Sequence, residues 1–188
     1  MKKVKAEISA RHLHISRAHL DKLFGKNYEL KPIKELSQPG EFAAEERIEV
    51  IGEKGKFMMR IVGPVRKQTQ VELALTDARN LGVKPVFRVS GDLQGTPGGL
   101  TLKGPKGSLK LTTGVIIAKR HLHISREDAK KWNIKNNQKV TAIVKGPRAM
   151  EIREITARVG NYTTRIHLDT DEANAAGLLA CSIIDLDI

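Results

Sequence analysis

Short runs rich in β-branched and other apolar residues, bounded by glycine and proline, dominate this chain and predict a mainly β protein. Residues 47–51, 57–62 and 83–89 have this character in the first half of the sequence, and residues 114–118, 139–144, 154–159 and 162–168 in the second. Many short strands with turn signals between them suggest small barrels or sandwiches. Helical patterns are few. Residues 17–24 and 126–132 each follow a serine, Ser16 or Ser125, placed to cap the open N–H groups of a first turn. Residues 76–81 and 170–176 each open on Thr-Asp and stop at a glycine, Gly82 or Gly177. The Gly/Pro-rich stretch 91–114 reads as a connector or hairpin, since no strong helical pattern follows its glycines to make a phosphate cradle.

The elements repeat. Arg11-His12-Leu13-His14-Ile15-Ser16-Arg17 returns as Arg120-His121-Leu122-His123-Ile124-Ser125-Arg126, and these phrases hold four of the six histidines. Residues 71–77 align with 166–172 as a strand running into a helix, and in that register Glu72 takes the place of His167. Gly63-Pro64 before Arg66 echoes Gly146-Pro147-Arg148. A duplication accounts for the pattern, and sequence order alone predicts two consecutive domains.

In extended backbone, residues i and i+2 lie on one face, so each His-Leu-His offers two imidazoles in one direction. His12, His14 and Glu72 form one candidate metal site, and His121, His123 and His167 form the other. Three protein ligands leave a coordination position open, as in catalytic zinc sites. Two zinc ions are expected, although imidazole and carboxylate without thiolate also suit other transition ions. His19 matches Asp128 in the other copy, without an evident partner, and is expected to be an exposed helical residue. Arg66, close in sequence to Glu72, is a candidate to grip phosphate through its planar guanidinium.

Charge sharpens this picture. Lys and Arg outnumber Asp and Glu by 33 to 21, a formal net charge of +12, which favours a polyanionic partner. Aromatic residues make up only 4%, too few for an extended base-stacking surface. Cys181 is the single cysteine, which excludes an intramolecular disulfide and fits a reducing cytosol; its apolar neighbours predict a packed thiol. No window approaches the roughly 20 apolar residues of a membrane helix, and the charged N-terminus lacks the apolar run of a signal peptide.

The His-Leu-His phrases, residues 36–46 (LSQPGEFAAEE), 63–72 (GPVRKQTQVE) and Ser90-Gly91-Asp92-Leu93 resemble the PduL-type phosphotransacylases, the phosphate propanoyltransferases, over essentially the whole chain. That resemblance implies reversible transfer of an acetyl or propionyl group between coenzyme A and inorganic phosphate, at a two-zinc site between two small β-barrels. It implies the ligand sets already named, Arg66 as the phosphate-binding arginine, Asn174 nearby, and Ser9, Lys34 and Arg60 along the coenzyme A site. It further implies an entwined chain: residues 1–9 with 115–188 as one barrel, 10–24 with 45–90 as the other, 25–44 as a lid and 91–114 as a connector. A homodimer is expected. Microcompartment-packaged relatives carry an amphipathic leader; only eleven residues precede His12 here, which predicts a free cytoplasmic bacterial enzyme. Two rivals fit the residues less fully. A dinuclear metal hydrolase would use the same ligands on water. A basic nucleic-acid-binding pair of barrels would leave the repeated histidines idle.

Overall fold

A computed structural model describes residues 1–188. In chain order the elements are β1 (Lys2–Ser9), β2 (His12–His14), α1 (Arg17–Phe24), β3 (Pro32–Glu35), β4 (Phe42–Ile51), β5 (Lys56–Gly63), β6 (Gln70–Glu72), α2 (Leu75–Leu81), β7 (Val86–Arg88), β8 (Leu100–Lys103) and β9 (Ser108–Leu111). There follow β10 (Val115–Ala118), β11 (His121–Ser125), α3 (Arg126–Trp132), β12 (Lys139–Val144), β13 (Met150–Gly160), β14 (Arg165–Asp169), α4 (Thr170–Ala175) and β15 (Ile183–Asp187). No helix is long and apolar enough to cross a membrane.

The chain divides into two compact units, Met1–Ala10 with Lys119–Ile188, and Arg11–Ala118. The first is a closed barrel in the order β1-β14-β11-β13-β12-β15. Its strands alternate as half-buried strands do: β12 turns Val140, Ala142 and Val144 inward and leaves Lys139 outside. Ile155, Ala157, Ile166 and Leu186 complete a core closed to water. β1 enters beside β14 in parallel, with Ala6 opposite Ile166, and pairs antiparallel with β15, with Val4 opposite Ile184. The N-terminal strand thus belongs to the C-terminal unit, which consecutive domains would not allow.

The second unit is a nine-stranded sheet in the order β7-β10-β6-β2-β5-β4-β8-β9, with β3 on β4. The same exchange occurs here in mirror order. β10, which precedes the second His-Leu-His phrase, pairs with β6 of the first half, placing Ile116 opposite Glu72. β7 takes the other edge of β10, so the position that β15 holds beside β1 is occupied by a different strand. Residues 115–118 therefore lie with the first half, not with 119–188. The stretch expected as a connector holds the β8–β9 hairpin, Leu102 opposite Leu109, whose leucines enter the core.

The helices form where local capping signals lie. Ser16 and Ser125 accept from the backbone N–H of His19 and Asp128, at 3.4 and 3.0 Å. α4 is capped by Asp169 one residue before the Thr-Asp pair, with Glu172 answering in a capping box. α2 begins at Leu75 after Ala74, which has no side-chain cap, and Asp77 instead accepts from the Ala74 N–H at 3.4 Å.

Candidate functional site

β2 and β11 present the same arrangement to different ladders. In each, the central leucine, Leu13 or Leu122, is fully buried in its unit's core. The flanking histidines consequently point to the opposite face. On that face β2 meets β6 antiparallel, with His12 opposite Glu72, and β11 meets β14 antiparallel, with His121 opposite His167. The alignment that set Glu72 against His167 is a structural equivalence.

Each unit therefore gathers three donors. The candidate ligand atoms of His121, His123 and His167 lie within 4.8 Å of one another, and so do those of His12, His14 and Glu72. In the first trio the rings of His121 and His167 stack at 4.9 Å with an interplanar angle of 4°, and His123 meets both edge-on. In the second, Nε2 of His12 and of His14 stand 3.8 and 3.9 Å from the two Glu72 carboxylate oxygens. These gaps exceed a hydrogen bond.

The protonation states suit ligation. Burial, reinforced by the charges of His12 and Arg66 and opposed by Glu72, lowers the His14 pKa to about 3. Burial and then the neighbouring His121, His167 and Arg158 lower that of His123 to about 2. Both imidazoles are neutral near pH 7. Nδ1 of His14 donates to the Val62 carbonyl at 3.0 Å and Nδ1 of His121 to the Lys119 carbonyl at 2.9 Å. A carbonyl only accepts, so Nδ1 carries the proton in each ring, and the neutral form of either ring has its lone pair on Nε2. Nδ1 of His123 is buried without a hydrogen-bond partner, although Tyr162 stacks on its ring at 4.2 Å. An orphaned buried nitrogen beside two further imidazoles fits a metal ion, and the absence of thiolate fits a borderline ion such as zinc.

Arg66 follows β5, with its N–H bonded to the Ile15 carbonyl at 2.9 Å and its charge felt by His14. Its guanidinium is held by Glu41, Nη2 to Oε1 at 2.7 Å. Arg60 lies beside His12 in the β2–β5 register but donates to the Ala44 and Glu45 carbonyls, where the β4–β5 register shifts. Lys34 is exposed on β3 opposite Ala43. These residues belong to one unit. In the other, Ser9 ends β1 opposite Asp169, and Asn174 is exposed on α4.

Three expectations change. His19 is half-buried and bonds through Nδ1 to Thr69 Oγ1 at 2.8 Å, a contact whose counterpart is Asp128 with Thr164. The same threonines accept from the Ser16 and Ser125 N–H groups at 3.0 and 3.1 Å, so the pair is a duplicated latch between strand and helix. Gly146-Pro147-Arg148 lies in the β12–β13 turn, whereas Gly63-Pro64 ends β5, so that echo is not an equivalence. Cys181 is exposed, in a turn with φ of 63°.

Sequence reasoning passed over Gln70, Ser90, Glu41 and Tyr162. Gln70 was detectable as the residue two before Glu72 on the same strand face, and Ser90 through its place in a family-like phrase. Glu41 stands in another such phrase, residues 36–46, and nothing local marks Tyr162.

The phosphate propanoyltransferase family model matches residues 5–179. Among curated relatives, a phosphate propanoyltransferase of Thermotoga maritima is 49% identical over 174 residues, which cover 91% of this chain and 82% of the relative. Those of Leptotrichia buccalis and Enterococcus faecalis are 47% and 45% identical, covering 91% and 92% of this chain and 82% of each relative.

Proposed function

Because the chain belongs to the phosphate propanoyltransferase family, a family of acyltransferases, we propose that it moves a propionyl or acetyl group reversibly between coenzyme A and inorganic phosphate. The observation that carries this reading is an arginine placed beside a metal-type donor set: Arg66 bonds through its N–H to the carbonyl of Ile15, next to His14 of the His12–His14–Glu72 trio, while its guanidinium holds the carboxylate of Glu41. Hydrolysis of a thioester would not call for that arginine.

His12, His14 and Glu72 would hold one zinc ion, and His121, His123 and His167 a second, each with a position left for substrate. Zinc held by these residues would supply Lewis acidity and neutralise charge near the reacting oxygens. The remaining work falls to side chains. Arg66 releases Glu41 and takes two phosphate oxygens in a bidentate grip, orienting a third toward the thioester carbonyl. The new C–O bond forms as the C–S bond breaks, leaving acyl phosphate and the coenzyme A thiolate. No serine or cysteine stands out as a nucleophile, so an acyl-enzyme is not required and direct transfer is the reading adopted. Ser9, Lys34, Arg60 and Asn174 line the coenzyme A path in this reading, and the formal charge of +12 suits a ligand carrying a pyrophosphate and a 3′-phosphate. The enzyme acts in the bacterial cytoplasm as a homodimer, which light scattering checks directly.

Product identity tests the reaction. With propionyl-CoA and phosphate, hydroxylamine should trap propionyl phosphate in amounts equal to the thiol released. Free propionate in its place would identify a hydrolase.

A further inference from the structure

The two trios differ at one ligand, and that difference creates a mechanical problem. In the barrel, His167 is a rigid ring kept in place by stacking on His121 at 4.9 Å. Glu72 occupies the equivalent place with a terminal carboxylate torsion that is soft and offers two oxygens. Left to itself, such a carboxylate can turn between one-oxygen and two-oxygen ligation.

A small network stops that rotation. Ser90 Oγ donates to Glu72 Oε1 at 2.7 Å, and the Gln70 side-chain amide donates to the same oxygen. The Gln70 amide also donates to Ser90 Oγ at 3.0 Å. Its orientation is set from the far end, where the Gly91 N–H donates to Gln70 Oε1 at 2.8 Å. Gly91 reaches that position with φ of +96°, a conformation that favours glycine. Gln70 is 2% exposed and Glu72 7%, so these bonds are little diluted by water. Oε1 stands 3.9 Å from His14 Nε2 but is engaged by both donors, whereas Oε2, outside these two bonds, faces His12 at 3.8 Å. In the barrel the place of Gln70 falls to an arginine that bonds elsewhere. Arg165 stands opposite His123 as Gln70 stands opposite His14, and its guanidinium turns to the Thr164 carbonyl at 2.8 Å.

We infer that Ser90 and Gln70 are positioning residues for the metal ion of the His12–His14–Glu72 trio, locking Glu72 so that it offers one oxygen and leaves a coordination position for substrate. The inference rests on the metal reading above and gives the Ser90-Gly91 phrase a function. The partners of a carboxylate ligand set its orientation and basicity, so their loss acts on metal affinity.

Zinc affinity of the full chain, measured by competition with a chromogenic chelator, tests it. A His123→Ala background isolates the Glu72 trio. There Ser90→Ala should weaken zinc binding roughly 10- to 100-fold, while Ser90→Thr, which keeps the hydroxyl, should restore it. In a Glu72→Ala background the same Ser90→Ala change should leave zinc binding at the histidine trio untouched. The melting temperature of the zinc-free Ser90→Ala chain should match its parent. If it falls, Gln70→Met, which deletes the amide donor at similar volume, carries the measurement instead. Parent-level zinc affinity in Ser90→Ala overturns the inference alone. Failure of the otherwise unaltered chain to bind zinc overturns the metal reading and this inference with it.

Discussion

His12 on β2 stands directly opposite Glu72 on β6, at the ladder position where β11 and β14 set His121 opposite His167. One strand pair, used twice, thus builds two sets of candidate donors that differ in a single residue. The pairing also explains why the central leucine of each phrase matters to the chemistry, because its burial turns the histidines to a common face.

That dependence can be measured. Leu122 is fully buried in the barrel core, and Leu122→Ala should cost about 2–5 kcal/mol of unfolding free energy. Urea denaturation of the zinc-free protein reads the loss. An effect below ~0.5 kcal/mol would show that the strand is not anchored through this side chain.

Arg66→Ala should raise the apparent KM for phosphate roughly 10- to 100-fold, the consequence of removing charged hydrogen bonds worth about 1.5–3 kcal/mol. The KM for acyl-CoA should move much less. Steady-state kinetics at varied phosphate decide it, and an unchanged phosphate KM would refute the assignment.

Glu41 occupies the Arg66 guanidinium that phosphate is proposed to take. Glu41→Gln should therefore lower the phosphate KM by roughly two- to five-fold, in keeping with the modest strength of a partly exposed ion pair. A higher KM would instead make Glu41 a support for Arg66.

The depressed histidines predict an acid-sensitive metal-free form. His14 and His123 titrate near 3 and 2 in the folded chain, against 6.5 unfolded. Between those values the unfolded chain binds more protons, so stability is complete above pH 6.5 and is lost as pH falls toward 3. Each histidine contributes at most about 1.4 kcal/mol per pH unit in that window. Urea denaturation of chelator-treated protein at pH 7, 6 and 5 should show the decline, and His14→Gln should flatten its slope. Equal slopes for the two proteins would contradict the assignment of His14.

Much of this was legible in the chain because the signals were local. Serine before a helical pattern marks α1 and α3, and repeated His-Leu-His phrases mark both donor pairs. The third candidate donors, Glu72 and His167, required an alignment of the halves, which the β6 and β14 ladders match. Strand exchange was illegible from pattern, since nothing in residues 2–9 or 115–118 says which half they will pair with; only the family resemblance anticipated it for the N-terminal strand. His19 misled because its partner, Thr69, lies fifty positions away. The Gly-Pro echo misled because that dipeptide serves any turn. Cys181 sits among apolar residues, yet the turn that exposes it also exposes Leu179 and buries Leu178.

The most direct test of the account follows phosphate-dependent thiol release from propionyl-CoA on metal-loaded protein, on protein stripped of metal by a chelator, and after zinc is returned. Activity should disappear with the metal and return as two zinc ions bind per chain, with acyl phosphate as the product throughout. Undiminished phosphate-dependent release from protein shown to be metal-free would contradict it.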